Sequence, residues 1–176
     1  MTVLETERLR VARLTEDDAP FILALLNEPS FLENIGDKGV RSLDDAREYL
    51  RGGPLSSYEA NGFGLYRVEL RDEGIPIGIC GLLRRPELED VDVGFALFPA
   101  FWSRGYAYEA ARAVLDHGRC DHGLDRIVAI TSLGNEASAR LLSRLGFQDE
   151  GRIPFGGHEV RLFASNGAGP AADAPL

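Results

Sequence analysis

The apolar periods along this chain predict a mixed α+β domain (α/β mixed). Its core is a central mixed, largely antiparallel sheet of about seven strands with helices on both faces. Three observations carry that expectation. Hairpin-linked strands form one block in the middle of the sequence, and a strand-helix-strand-helix-strand-strand order follows. The longest helical stripe is made of small residues, which lets a helix backbone lie close to a sheet. A doubly wound parallel fold is disfavoured, because its strands would alternate with helices throughout.

Residues 7–14 alternate, Leu9 and Val11 against Arg8 and Arg10, and read as the first strand. Thr15 then precedes Glu16-Asp17-Asp18, an N-cap followed by acids that suit the positive end of a helix. Ala19, Ile22, Leu25 and Leu26 form its apolar stripe, and residues 27–29 stop it. Residues 31–41, with Gly36 and Gly39 and no clean period, read as a loop. A second short helix starts after Ser42, with Asp45 in the reciprocal capping position and Leu43, Ala46, Tyr49 and Leu50 inward. Gly52-Gly53-Pro54 ends it.

Residues 63–70 and 75–83 flank Arg71-Asp72-Glu73-Gly74, a hairpin signal, and residues 91–98 add another strand. Ala107, Ala110, Ala111, Val114, Leu115 and Gly118 mark the longest helix. Residues 126–131 read as a strand, 135–145 as a helix with Gly146 at its C-terminal cap, and 147–151 and 158–163 as two last strands. Residues 5–163 thus make a single domain, and the small residues of 164–176 make a disordered tail.

The chain has 176 residues, enough for one real core. Its net charge of -9 repels phosphate backbones, which argues against nucleic-acid binding and tolerates a cationic small molecule or basic peptide. No apolar run approaches the roughly 18 residues that cross a bilayer, and the N-terminus carries mixed charge without an apolar secretion segment. A cytoplasmic protein without membrane contact is expected. Cys80 and Cys120 are far apart and read as reduced thiols. His117, His122 and His158 do not fall at metal-ligand spacings, so no metal is expected.

Residues 92–99 run as a strand into Trp102-Ser103-Arg104-Gly105-Tyr106-Ala107, which opens the long helix. A strand that delivers a glycine-bearing turn to a helix N-terminus makes an anion site from backbone N–H groups. Gly105 allows close approach, Ala107 does not block it, and Arg104 adds charge at the rim. The spacing alone fits a tight strand-helix connection equally well. There is no Gly-x-x-x-x-Gly-Lys-Ser/Thr loop and no Gly-x-Gly-x-x-Gly fingerprint.

Residues 92–111, with Phe101-Trp102-Ser103-Arg104-Gly105-Tyr106-Ala107-Tyr108-Glu109-Ala110, resemble the acetyl-CoA motif of the GNAT superfamily, RimJ/RimL-like branch. A second block, Asn135-Glu136-Ala137-Ser138-Ala139-Arg140 through Leu145-Gly146-Phe147, is similar to that branch's other motif, and Glu7-Arg8-Leu9-Arg10 to its first strand. The resemblance implies a GNAT-like fold and an N-acetyltransferase. Its substrates would be acetyl-CoA and a primary amine, either a protein N-terminus or a small molecule. Trp102 stands at the usual basic position of the phosphate loop and Tyr108 where many relatives have Thr, which shifts phosphate binding toward backbone amides. The resemblance further implies that Leu97 and Phe98 offer main-chain groups to the pantetheine arm at a splay between parallel strands.

Acyl transfer from a thioester to an amine needs an uncharged amine, an oxyanion stabiliser and a proton for the thiolate. Ser138 is the candidate proton donor, inward-facing with Leu141, Leu142 and Leu145; its other reading is a backbone-bonding residue of the helix start. Asn135 is the natural N-cap, and the resemblance adds a contact to the cofactor. Asp92 is the candidate base; its other reading is a solvated strand-edge acid among Glu87, Glu89 and Asp90. The acceptor pocket is expected from the first two helices and residues 34–41, which hold Lys38, the one lysine of the chain. A non-catalytic acyl-CoA sensor is the competing function, and both monomer and homodimer stay open.

Overall fold

In the computed structural model, which describes residues 1–167, the central hairpin joins β3 (Leu65–Leu70) to β4 (Pro76–Leu83). Leu70 and Ile75 close it, with the Leu70 N–H donating to the Ile75 carbonyl at 2.9 Å. β2 (Leu9–Arg13) and then β1 (Thr2–Glu5) extend the sheet on one side, and β5 (Asp92–Leu97) on the other. β6 (Arg126–Thr131), β7 (Gln148–Phe155) and β8 (His158–Asn166) complete an eight-stranded sheet of order β1-β2-β3-β4-β5-β6-β8-β7. Every pairing is antiparallel except β5 with β6.

Strand alternation separates two cores. Cys80, Leu82, Val93 and Leu97 pack under Ala110, Ala111, Val114 and Leu115 of α5 (Tyr106–His122) and Ala139 and Leu142 of α6 (Glu136–Arg144). Ile79, with Leu65 and Ala96, faces the opposite way, against Ile22, Leu25 and Leu26 of α1 (Ala19–Leu26) and Ala46 and Leu50 of α3 (Leu43–Leu50). Ser42 caps α3 reciprocally: its Oγ accepts from the Asp45 N–H at 3.1 Å, and its own N–H donates to the Asp45 carboxylate at 3.0 Å.

Several elements differ from the sequence reading. The sheet gains β1, whose four residues are too few to show a period. The acids after Thr15 form a 3-10 turn, Glu16–Asp18, ahead of α1, and Asp18 is buried against Arg67 at 2.6 Å. Residues expected to be loop hold α2 (Pro29–Asn34), started by a proline whose φ already suits a helix. Gly52-Gly53-Pro54 does not end α3; the chain continues through a π-helical stretch, Arg51–Leu55, into α4 (Ser56–Asn61), the wider turn accommodating a residue without an N–H. Leu43 is exposed, because it begins the first turn of α3 and Ala46 and Leu50 hold the buried stripe. β8 runs to Asn166, so Ala164, Ser165 and Asn166 are sheet rather than tail, paired with Val128, Ile127 and Arg126. The rest of the expected tail, from residue 168, lies outside the described residues. Among the described residues no helix is long and apolar enough to cross a membrane.

The small-residue stripe of α5 does set how closely it approaches the sheet. A Cβ on Gly118 would stand 2.9 Å from Leu82 Cδ1 and 3.4 Å from Ile127 Cδ1. Gly118→Ala gains roughly 0.5–1 kcal/mol of helix propensity and displaces only a mobile methyl, so its net change is small. Gly118→Val adds branches that cannot be absorbed and is expected to cost about 1–3 kcal/mol, read as a lower urea midpoint.

Candidate active site

The turn from β5 into α5 is built to leave N–H groups free. Pro99–Phe101 makes one 3-10 turn, closed by the Trp102 N–H on the Pro99 carbonyl at 3.1 Å. Ser103 then takes φ 58, the one positive φ of a non-glycine residue among the described residues, and Gly105 takes φ 80 as the N-cap of α5. The first helical bond runs from the Glu109 N–H to the Gly105 carbonyl at 3.0 Å. The N–H groups of Ser103, Arg104, Gly105, Tyr106 and Ala107 therefore lack acceptors among the described residues, as the start of an uncapped helix requires. Together with the helix dipole they suit an anion.

Side chains lock this turn. Glu109 accepts from Thr6 Oγ1 at 2.6 Å, from the Arg8 N–H at 2.9 Å and from Arg8 Nε at 2.7 Å. Arg8 Nη1 also donates to the Arg104 carbonyl at 2.9 Å, and its guanidinium lies 4.5 Å from the Tyr106 ring centre. These bonds hold the Glu109 carboxyl below its ordinary value, against the opposing effect of burial. Trp102 braces the other side, its indole Nε1 donating to the Leu97 carbonyl at 3.0 Å. Arg104 stays exposed at the rim, over Phe101 at 5.9 Å.

Below the turn, β5 and β6 touch at a single register position, Asp92 with Val128, where the Val128 N–H donates to the Val91 carbonyl at 3.0 Å. Beyond it the strands diverge, which is the splay that the resemblance implied. The pairing of Gly78 with Leu97, with the Phe98 N–H on the Ile77 carbonyl at 2.9 Å, turns the Leu97 main chain toward the gap. The Leu97 carbonyl is taken by Trp102, which leaves its N–H. Phe98 departs from expectation. Its N–H and carbonyl are both used inside the protein, the latter by the Phe101 N–H at 3.0 Å, and its ring packs edge-on to Phe21 at 5.9 Å.

Asp92 stands at the apex of this gap and is 1% exposed, so the reading of a solvated strand-edge acid is overturned. It pairs with Leu83 on β4 and so shares the α1/α3 face with Ile79 and Ala96. Arg85 Nε donates to Asp92 Oδ1 at 3.1 Å, while Oδ2 is buried without a partner. Burial pushes the Asp92 carboxyl up to about 6, further than the Arg85 guanidinium pulls it down. A carboxyl poised near neutrality with one free oxygen can take a proton from an amine.

On the other flank of the gap, Asn135 caps α6, its Oδ1 accepting from the Ser138 N–H at 3.2 Å. Ser138 is half-buried beside buried Ala139 and Leu142, and among the described residues its Oγ makes no hydrogen bond. Capping and an available hydroxyl thus coexist at this position. Ser138 and Asp92 do not touch; α6 packs in the core under α5, on the opposite face from Asp92. Tyr108 is covered by Arg144 of α6, 4.7 Å from its ring centre, which ties the start of α5 to the end of α6. A cavity of about 370 Å³ opens between α3, α4 and β3–β4, with Tyr49, Leu65 and Leu83 in its lining and no residue of 34–41.

Sequence reasoning did not find Arg85, Thr6, the Trp102 brace or the role of Glu109. Only the quoted strings Glu7-Arg8 and Tyr108-Glu109 hinted at the last. Gly105 is the position where the turn tolerates no side chain: φ is positive, and a Cβ would stand 3.2 Å from Arg8 Nη2. Gly105→Ala is expected to cost about 1–2 kcal/mol, whereas Ser103→Gly relieves strain and leaves the thermal midpoint unchanged or higher.

Comparison with known proteins bears on this geometry. The profile of the family described as Acetyltransferase (GNAT) domain matches residues 8–148. An uncharacterized N-acetyltransferase of Bacillus subtilis (strain 168), YoaA, is 31% identical over 150 residues, covering 85% of this chain and 84% of that one. The crystal structure of an acetyltransferase from Agrobacterium tumefaciens str. C58 superposes with a TM-score of 0.80 at 25% identity, over 93% of each chain. RimL, the alpha-N-protein acetyltransferase of ribosomal L7/L12, in complex with coenzyme A, shares the fold with a TM-score of 0.80 at 18% identity, over 94% of this chain and 98% of that one. With its two motifs, its splayed sheet and these relatives, the chain belongs to the GNAT acetyltransferases and is an acetyl-CoA-dependent acyltransferase.

Proposed function

We propose that this chain transfers an acetyl group from acetyl-CoA to a primary amine, the α-amine of a peptide or a small molecule, by direct attack. The observation that carries the reading is the gap between β5 and β6, with a buried half-free carboxyl at its apex and a turn of free N–H groups at its open end. The residues fit the cofactor. Ser103, Arg104, Gly105, Tyr106 and Ala107 would bind the pyrophosphate through main-chain N–H groups, with Trp102 shaping the turn. Leu97 N–H and Asn135 would hold the pantetheine arm. Acetyl-CoA supplies the acyl group in activated thioester form. The coenzyme A in the RimL structure supports this cofactor assignment, and the fold likeness supports a RimJ/RimL-like branch.

Asp92 accepts a proton from the incoming ammonium through Oδ2, leaving an amine able to attack. Ser138 Oγ, on the opposite flank, donates to the leaving sulfur. An α-amine, with an ordinary pKa of roughly 7.7–8.0 against about 10.4 for a lysine, asks less of a base that titrates near 6.

Because Asp92 works ionised on an acceptor that arrives as an ammonium, kcat/KM should rise with pH through about 6 and fall again above roughly 8, where the free α-amine loses its proton. Asp92→Asn should remove the acid-side inflection and lower kcat/KM by about 10²–10⁴. An unchanged pH profile in this variant would assign the base elsewhere. For Ser138→Ala, kcat should fall by roughly 10² with the acetyl-CoA dissociation constant unaltered; weakened cofactor binding with unaltered kcat would make Ser138 a structural cap.

A further inference from the structure

The surroundings of the candidate base say something about the acceptor. Asp92 uses Oδ1 for Arg85 and keeps Oδ2 buried, unpartnered and 1% exposed as a residue. Buried polar atoms are rarely left so, and a carboxylate oxygen can only accept. A hydrogen-bond donor on the acceptor is the fitting partner.

Arg85 is engaged through Nε alone; among the described residues Nη1 and Nη2 have neither a hydrogen-bond nor an ion-pair partner. The guanidinium is held in place by Asp92 on one edge and by the Phe155 ring of β7, 5.4 Å away. A guanidinium anchored by Nε presents its two remaining nitrogens as a fork, the geometry that matches a carboxylate. Lys38, exposed on its loop and without an acidic partner among the described residues, lies within range of that charge: partial desolvation and the Arg85 guanidinium lower its ammonium. Burial raises the Tyr49 phenol, and the Arg85 charge acts on it in the opposite direction. In a chain of net charge -9, Arg85 and Lys38 thus lie within range of each other's charge, with Asp92 paired to Arg85 and Glu87 near enough to act on the Asp92 carboxyl.

Resting on the acetyl-transfer reading above, we propose that the acceptor is an α-amino acid: Arg85, aided by Lys38, holds its carboxylate while Asp92 Oδ2 receives a proton from its amine. Both protein groups belong to one ion pair, so their free edges are adjacent, and an amine and a carboxylate on a single carbon match that adjacency. A peptide N-terminus presents a neutral carbonyl in place of the carboxylate and leaves the two cations unanswered. A polyamine or basic peptide, which the overall charge tolerates, meets local repulsion from Lys38 and Arg85.

The test is an acetylation panel, read by mass spectrometry of the product and by coenzyme A release. It pairs each proteinogenic α-amino acid with its C-terminal amide, alongside short peptides and polyamines. For the preferred side chain, kcat/KM for the free acid should exceed that for the amide by about 10–100-fold, the range of a charge-assisted hydrogen bond. Lys38→Gln and Arg85→Gln should each shrink this acid-to-amide ratio toward one, and Arg85→Lys should restore part of it. Because the readout is a ratio, a general loss of rate does not disturb it, and Lys38, on an exposed loop, can be changed without a core rearrangement. Calorimetry adds a readout without turnover: the N-acetyl amino acid should bind the coenzyme A-loaded protein more tightly than its N-acetyl amide, and Lys38→Gln should narrow the difference. Turnover with a ratio near one, or a preference for peptides or polyamines, overturns the amino-acid assignment and leaves acetyl transfer standing. No coenzyme A release with any acceptor overturns acetyl transfer, and this assignment with it.

Discussion

The architecture depends on how little β5 and β6 pair. β4 satisfies β5 along one edge over six register positions and β8 satisfies β6 over six, while the two strands meet each other at Asp92 and Val128 alone. Unpaired backbone groups inside a sheet are costly unless water or a ligand satisfies them. The protein sustains that cost with a core on each face, and the result is a slot through the middle of the sheet. The slot gives each flank a different chemistry: a carboxyl on the α1/α3 face, and a helix start with an available hydroxyl on the α5/α6 face.

The turn at the mouth of the slot is shaped by contacts distant in sequence. Thr6 and Arg8 reach about a hundred residues along the chain to Glu109, with separations of 103 and 101. An exposed ion pair alone contributes little. Here the carboxyl also accepts a hydroxyl and a main-chain N–H, and Arg8 continues to the Arg104 carbonyl, so several bonds share one geometry. Trp102 closes the opposite side on Leu97. Rigid donors matter for anion binding because their orientation costs nothing further when the ligand arrives.

Charge is arranged on two scales. The overall excess of acid tolerates cations at long range, whereas at the apex of the slot the Arg85 guanidinium stands directly against Asp92. Asp92 then sits between opposing influences, burial raising its carboxyl and Arg85 lowering it, and burial prevails. A fully solvated acid at the same position would titrate too low to serve an amine well.

What the sequence determined by itself is what short range can encode. The Ser42–Asp45 capping box, the cap at Asn135, the glycine at the start of α5, the small-residue face of that helix and the β3–β4 hairpin all depend on residues a few positions apart. They were legible, as were the two motif blocks. Tertiary structure alone decided the rest. Whether Asp92 was solvated or buried, which main-chain group at Leu97 and Phe98 stayed free, and where Ala164 to Asn166 belonged all turned on pairing between distant strands. Arg85 became part of the site only because β4 and β5 bring it against Asp92. Burial and register are properties of the assembled sheet, and no local period specifies which strand will leave its neighbour.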